Sequence, residues 1–488
     1  MKVKLIDQSQ TANLYEQVAD RIWALIREGT LQPGDRLPSV RRLHEQLSVS
    51  ISTVLEAYRL LEDRGLISVR PQSGYYVKQT LLSTPEEPDQ SKPPKKASSV
   101  NNSLAFQVIR HVQDADIVNL AGALPSMEML PLDTLNRLMG QALRNHPIIS
   151  HSYDVPPGCK SLRHEVARRL MDAGCSVNMD EIVTTNGTFE AVYLSLKAAT
   201  KPGDTVAIES PTYYGLLEAL EILHLKALEL PTHPREGISL LHLENALQKK
   251  QIAACALVSN FSNPLGSCMS DAKKKELVQL MTRYDTPLIE DDIYGDLYFE
   301  GTRPKALKAF DSEGIVLYCA SYSKTLSPGL RVGWAVAGRY QAKVEQLKWV
   351  INQTTAIAPQ LTIAAFLANG GYDRHLRHLR RAYQSQMALM TQAICEHFPP
   401  ETRVTRPNGG HVLWVELPHP FDSLLFYRQA FEQKVSVAPG VMFSPSGSYG
   451  NCFRLNCGLL WSERIEQAMK QLGHLTQLQT SALKLAES

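Results

Sequence analysis

Three polar residues stand directly after three apolar runs. Asn263 follows AACALVSN in the string SNFSNPLG, Asp291 closes TPLIED, and Lys324 follows GIVLYCAS in ASYSKTLSPGLRVGW. Apolar runs of this length read as buried parallel strands. Ligands of open α/β sheets sit just beyond the C-terminal strand ends, so separate strand ends would bring the three side chains into one crevice. A lysine amine there can hold a carbonyl compound as a Schiff base. An aspartate can keep a ring nitrogen protonated, which makes the ring an electron sink.

That pair suits pyridoxal 5'-phosphate, and neighbouring residues supply the rest of a site for it. Asn263 and Tyr294 can hydrogen-bond the phenolic oxygen of the cofactor. A phosphate needs a helix N-terminus, and TTNGTFEAVYLSLKAA offers Gly187 followed by the N–H groups of Thr188 and Phe189. Ser321, Ser323 and Arg331 flank the lysine and complete an anion pocket. Tyr213, in ESPTYYG, can stack on the pyridine ring. Arg454, in FRLNCG, can grip a carboxylate with both arms of its guanidinium. Taken singly these residues have ordinary explanations: a surface lysine, a turn aspartate, a half-buried tyrosine, a structural ion pair. Their joint order is what argues for a site.

The elements that must position them follow from the same pattern. DTVAIES, AACALVSN, TPLIED and GIVLYCAS alternate with helical stretches such as SDAKKKELVQLMTRY. Such alternation predicts a mostly parallel sheet covered on both faces. The last hundred or so residues mix helix and strand and read as a smaller α+β subdomain.

A separate small module precedes this body. Leu14, Val18, Ile22 and Leu25 share one helical face. The string GTLQPGDRLPS breaks that helix, and Ser39 can cap a second one whose apolar face is Val40, Leu43 and Leu47. LSVSIS is a turn. A third helix then carries Val54, Ala57, Tyr58 and Leu61 inward, and LISVRPQSGYYV reads as a hairpin. Three helices and a hairpin form a winged helix-turn-helix pattern. The N-terminus of the third helix offers Ser50, Ser52 and Thr53 to phosphates and base edges of double-stranded DNA. Arg36, Ser39, Arg41, Arg42 and Arg59 lie in the same region, and Arg70, Ser73 and Gly74 lie in the wing. Residues 36–78 hold seven Lys/Arg against four acids, a local charge of +3, although the whole chain carries only +2. Nucleic-acid binding is therefore expected from this module alone.

Between the two parts, residues 79–104 (QTLLSTPEEPDQSKPPKKASSVNNSL) are rich in Pro, Ser, Lys and Glu. They read as a mobile, partly extended linker that joins a head at 10–78 to a body at 105–488.

The strings PGDRLPSVRRL, VSISTV, AYRLLEDRGLI and RPQSGYYV closely resemble the GntR family of bacterial regulators. Where that family often carries arginine before Ser52, this chain has Ile51, which shifts the expected DNA contact toward Arg41 and the wing. NGTFEA, ESPTYYG, NFSNPLG, EDDIYGD, SYSKTLSPGLRVGW and FRLNCG closely resemble fold-type I aminotransferases over residues 116–475. That resemblance implies that Lys324 is the Schiff-base lysine, that Asp291 pairs with the ring nitrogen and that Arg454 binds a substrate carboxylate. It also implies that Tyr153, in SYDVPPGCKSLRHEVA, reaches the phosphate of a neighbouring subunit, and that Gly122, in NLAGALP, lies near the ligand. Together the halves resemble the MocR subfamily, whose members form dimers, often with heads exchanged between chains. At about 5–6 Å × √n the linker spans on the order of 25–30 Å, enough for such an exchange.

The 488-residue composition, 44% hydrophobic and 20% charged, is that of a multidomain globular protein. The opening MKVKLIDQSQTANLY has no apolar core after its basic residues, which argues against a secretory signal. No run approaches the ~20 apolar residues of a membrane span. The eight cysteines show no CxxC pair and no metal spacing, and they read as reduced cytosolic thiols. Three functions remain open at this point: a regulator that senses an amino acid or amine through Lys324, an aminotransferase with an appended head, and a sensor of free pyridoxal phosphate.

Overall fold

The computed structural model describes residues 13–27, 30–31, 34–63, 66–70, 73–77, 85–101, 103–111 and 114–486. The head consists of α1 (Leu14–Arg27), α2 (Val40–Leu47) and α3 (Ile51–Asp63), followed by β1 (Ile67–Arg70) and β2 (Gly74–Val77). Ser39 Oγ accepts the Arg42 N–H at 3.3 Å and so caps α2. Ser48 ends that helix in the left-handed region at φ 53°. Ser50 Oγ accepts the Thr53 N–H at 3.1 Å and caps α3 in the same way. Most apolar positions read from the sequence make one core: Val18, Ile22, Leu43, Leu47, Val54, Ala57, Tyr58 and Leu61 are buried, whereas Leu25 and Val40 are half-buried and Leu14 is exposed. Tyr58 ties this core to the loop and the wing. Its hydroxyl donates to the Pro38 carbonyl at 2.5 Å, and its ring lies 4.6 Å from that of Tyr75. β1 and β2 pair antiparallel, with Ile67 opposite Val77 and Arg70 opposite Gly74.

The segment read as a mobile linker is tied to the body over residues 85–101. Val404 N–H donates to the Glu86 carbonyl at 2.8 Å and Ser91 N–H to the Thr232 carbonyl at 3.1 Å. Ser98–Ser99 adds an antiparallel edge strand beside Lys226–His233. Glu87 pairs with Arg235, and Asp89 with Arg403 at 2.9 Å. Composition does not show these ties, because the acidic residues meet arginines that lie far away in sequence.

The body is built on one large sheet. Its strands run in the order Ser98–Ser99, Lys226–His233, Thr205–Ser210, Ala254–Leu257, Leu288–Asp291, Val316–Ser321, Gly333–Val336 and Val183–Thr185. The central strands are parallel, as their uninterrupted apolar runs predict. Gly333–Val336 runs antiparallel to both of its neighbours. Helices cover both faces, and their buried side chains pack against the sheet in two clusters, one around Leu194 and Leu217, the other around Leu243 and Leu277.

The smaller subdomain holds a four-stranded antiparallel sheet, in the order Arg403–Val404, Val412–Glu416, Cys452–Asn456 and Ala438–Pro439. The helices Gly371–His397, Ser423–Glu432 and Glu463–Ala486 surround it. It recruits a segment from far upstream: Val118–Asn119 pairs in parallel with Val435–Ser436. This pairing hangs the NLAGALP loop from the small subdomain while the loop faces the large one. Head and body meet where Arg381 on the long helix pairs with Glu16 at 2.5 Å. Both groups are partly exposed, and a pair of this kind is worth only ~0.2–1 kcal/mol. Among the described residues, no helix is long and apolar enough to cross a membrane.

Candidate cofactor and ligand site

The strand ends converge as the sequence requires. Asn263, Asp291, Tyr294, Ser323, Lys324 and Arg331 line one pocket together with Gly122, Thr188, Phe189 and Tyr213. Asp291 closes its strand at the pocket floor, where its Oδ1 accepts the Ile293 N–H at 3.1 Å. Burial, helped by Asp292 and Glu290, pushes its carboxyl up to about 7. An aspartate held in this way favours a cationic partner, which a protonated pyridine nitrogen supplies. Lys324 is held down at about 8, first by burial and then by the positive charges of Arg454 and Arg331. Its Nζ donates to the Ala123 carbonyl at 2.6 Å. A lysine with this pKa presents a substantial fraction of free amine near neutrality, as a Schiff-base nucleophile must.

One end of the pocket is an anion cup. Thr188 opens the helix Thr188–Ala199, and Gly187 precedes it at φ +84°. Thr188 Oγ1 donates to Ser321 Oγ at 2.7 Å, and Ser321 Oγ in turn to Ser323 Oγ at 3.1 Å. Arg331 Nη2 donates to the Asn186 carbonyl at 2.6 Å. A side chain on Gly187 would run into that guanidinium, so only glycine leaves the cup open. The Thr188 and Ser323 hydroxyls, helix N–H groups and the Arg331 guanidinium beside one space fit a phosphate. Gly215 performs a similar service for Tyr213, whose ring would lie 2.5 Å from a Cβ at that position.

Arg454 lies behind the pocket wall, bonded to the lining residue Asn263. Arg454 is completely buried. Its Nη1 donates to Asn263 Oδ1 at 3.1 Å and its Nη2 to the Ala121 carbonyl, while Nε has no partner. Asn263 Nδ2 donates to Tyr294 Oη at 3.4 Å, so Arg454, Asn263 and Tyr294 form one chain of contacts. A buried guanidinium satisfied only by neutral oxygens is poised for an anion. Ile109, Leu124 and Tyr214 also line the pocket. Leu124 and Tyr214 belong to NLAGALP and ESPTYYG, whereas no motif marked Ile109, which ends the helix Ser103–Ile109.

Some residues singled out from the sequence stand elsewhere. Tyr153 is 76% exposed and lines a surface groove with Thr354–Ala358, outside the pocket of its own chain. The Phe189 ring is partly exposed, and its contribution to the cup is its backbone. In the head, Ser39 and Ser50 both use their hydroxyls as helix caps, as described above. Ser50 Oγ also contacts Ser52 Oγ and Thr53 Oγ1, each at 2.7 Å. Arg36, Arg41 and Ser52 are exposed, and so is Ile51, where the resemblance leads one to look for arginine. Arg36 bridges Tyr76 of the wing, which sets it beside Gly74. Ser73 Oγ shares a hydrogen bond of 2.7 Å with Tyr76 Oη. Arg70 lies in β1. The eight cysteines are all free.

Fold and site thus define a pyridoxal-phosphate-type body that carries a winged helix-turn-helix head. Sequence comparison gives the same division. Residues 132–472 match the class I and II aminotransferases, and residues 14–77 match the gntR family of bacterial regulatory proteins. The chain is 41% identical to the uncharacterised HTH-type transcriptional regulator YdcR of Escherichia coli K12, over 95% of this chain and 99% of that one. It is 39% identical to YjiR of the same organism, over 94% and 98%. Among solved structures it is similar to LysN, the α-aminoadipate aminotransferase of Thermus thermophilus complexed with N-(5'-phosphopyridoxyl)-L-leucine. That match has 30% identity and a TM-score of 0.72, and it covers 77% of this chain and 95% of that one. The chain belongs to the HTH-type transcriptional regulators of the MocR arrangement, a GntR head on a pyridoxal-phosphate-dependent aminotransferase-family body.

Proposed function

We propose that this regulator senses a carboxylate-bearing amino acid or amine at Lys324 and passes the signal to its DNA-binding head. The observation that carries the reading is the coexistence, in one chain, of a GntR head and a pocket whose lysine is held at about 8, close to Arg331 and to the buried Arg454. Pyridoxal phosphate supplies an aldehyde for which Lys324 and a ligand amine compete, and a ring that draws electrons from the bound amine. The chain's own residues do the rest. Gly187, Thr188, Phe189, Ser321, Ser323 and Arg331 hold the phosphate. Asp291 holds the ring nitrogen, Asn263 and Tyr294 the phenolic oxygen, and Tyr213 stacks on the ring. Arg454 takes the ligand carboxylate with Gly122 beside it. A ligand amine that takes the place of Lys324 returns that lysine to the Ala123 carbonyl, on a loop hung from the small subdomain. The coupling to DNA exists to the extent that the ligand binds the two subdomain arrangements unequally.

The protein works as a homodimer in this proposal. Ile148, Ile149, Tyr153 and Val155 are exposed, as are Trp349, Val350 and Ile351. Asp154 N–H donates to Thr354 Oγ1, which joins the two segments. An apolar surface of this kind calls for a partner, and a second copy placed there brings its Tyr153 to the first copy's phosphate. Exchange of heads between the copies belongs to the same proposal. The head spans 10–78, the linker 79–104, of which 85–101 lies along the body, and the body 105–488. The protein acts in the cytoplasm, on the nucleoid when bound to its operator, through Arg36, Ser39, Arg41, Ser50, Ser52, Thr53, Arg70, Ser73 and Gly74.

Transaminase turnover is the second reading, favoured by the complete convergence of Lys324, Asp291, Asn263, Tyr294 and Arg454. The test loads the full chain with pyridoxal phosphate and follows the visible band while amino acids and amines are added singly. A stable spectral shift without keto acid supports the sensor. Keto acid release supports the enzyme, and a response to the cofactor alone supports a sensor of free pyridoxal phosphate.

A further inference from the structure

One buried group beside Lys324 has no role in the account so far. His411 immediately precedes the strand Val412–Glu416 and is fully buried. Its ring is stacked on Tyr383, with centroids 5.0 Å apart and planes 22° apart, and Tyr294 meets it edge-on at 5.5 Å. A side chain on Gly458 would press on its Cδ2 at 3.0 Å, so the ring is held on that side as well. Neither ring nitrogen makes a hydrogen bond of full geometry; its polar contact is a weak one, to the Ala123 carbonyl. An imidazole held in a core with no better partner is costly, and it points to a contact that tightens in another state of the site.

The Ala123 carbonyl is that partner. It lies beside the His411 ring and accepts the Lys324 ammonium at 2.6 Å. When Lys324 bonds to the cofactor it becomes an imine nitrogen and no longer serves that carbonyl. Ala123 would then be left as a buried acceptor with no donor. Burial keeps the imidazole neutral, pushing it down to about 3, so one nitrogen carries a hydrogen and can donate.

We infer that His411 is a positioning residue that donates to the Ala123 carbonyl while Lys324 is engaged with the cofactor and yields it when Lys324 is freed. The inference rests on the proposed role of Lys324. Lysine and histidine alternate on one acceptor, and that acceptor belongs to the loop paired with the small subdomain. The state of a large-domain lysine is thereby read by two small-domain elements, the NLAGALP loop and the strand that begins after His411. No redox change is involved. The exchange is one C=N bond for another, and the three hydrogens and the charge of the incoming ammonium pass to Lys324, which is released as an ammonium.

The test uses the full-length protein, pyridoxal phosphate and methylamine, a probe that competes with Lys324 and lacks a carboxylate. His411→Phe keeps the aromatic stack and removes the donor, whereas His411→Gln keeps a donor. An unpaired buried carbonyl shifts an equilibrium by about tenfold. In His411→Phe the affinity for pyridoxal phosphate should therefore fall about tenfold, and the methylamine concentration that converts half of the visible band should fall by a similar factor, with His411→Gln close to wild type. A merely structural histidine would not move the two readouts in these opposed senses. Should His411→Phe fail to fold, ¹⁵N spectra of the wild-type ring decide the matter: one ring nitrogen should take on a hydrogen-bonded shift when cofactor is added. Wild-type behaviour of His411→Phe, or a ring spectrum unmoved by cofactor, overturns the inference. If wild type itself forms no visible band, it is the Lys324 reading that fails.

Discussion

Replacing Arg454 with methionine separates ligand recognition from stability. The guanidinium is fully buried, and its hydrogen bonds go to Asn263 Oδ1 and the Ala121 carbonyl, with Nε left over. Neither acceptor carries charge, so in the ligand-free protein a cation sits desolvated without a counter-charge from them. Burial accordingly lowers its pKa. Exchange for an apolar side chain of similar length removes that desolvation cost but leaves Asn263 Oδ1 and the Ala121 carbonyl without their donor, at ~1–3 kcal/mol each, so the two effects oppose each other. A ligand carboxylate would be gripped by two charge-assisted hydrogen bonds of ~1.5–3 kcal/mol each. Losing both weakens binding by at least about a hundredfold, since every 1.4 kcal/mol is a factor of ten. Arg454→Met should therefore change the unfolding temperature little, while the amino acid concentration that shifts the visible band rises a hundredfold or more. Methylamine, which has no carboxylate, should be affected far less. Loss of stability together with an amino acid affinity within threefold of wild type would refute the reasoning, because Arg454 would then be a structural residue.

Three further outcomes follow from other parts of the molecule. Capture of pyridoxal phosphate needs Lys324 as free amine, and its pKa is lowered to about 8; stopped-flow rates should rise about tenfold per pH unit below 8 and level off above it, and a plateau reached only near 10 would place Lys324 in ordinary solvent. Tyr58→Phe leaves the Pro38 carbonyl without its donor, which should cost ~1–3 kcal/mol in the denaturant unfolding of the head and leave the visible band unchanged. Arg41 is exposed on the first turn of α2; Arg41→Ala should lower affinity for any duplex DNA and reduce the slope of log K against log salt by about 1, and an unchanged slope would remove it from the phosphate contacts.

The site was legible in the sequence where chemistry is carried by one residue at the end of one strand. Asn263, Asp291 and Lys324 each follow an apolar run, and periodicity is enough to find such runs. Gly187 could be found because a phosphate cup needs a helix start. The head was legible because its caps and apolar faces are local. What escaped notice is built from distant segments. Val118–Asn119 pairs with Val435–Ser436, and no local signal marks a two-residue strand. Residues 85–101 have the composition of a linker, yet hydrogen bonds tie them to the body and Ser98–Ser99 forms an edge strand. Gly333–Val336 is short and begins with glycine, so it carries little strand signal of its own. Its place is set by the neighbours on either side. His411 looks like one more histidine until Tyr383, Tyr294 and Ala123 are set around it.

The central claim is that occupancy at Lys324 changes how the head engages DNA. The measurement that tests it most directly is the affinity and footprint of the cofactor-loaded, full-length protein on a duplex selected by that protein from a random-sequence pool. It is made with and without the compound that shifts the visible band, and repeated with Lys324→Ala. The account predicts that the compound changes the affinity by about fivefold or more, or changes the footprint, within the usual range of coupling between sites, and that Lys324→Ala abolishes the response. Identical affinity and footprint in all conditions, with the band shift intact, would contradict it.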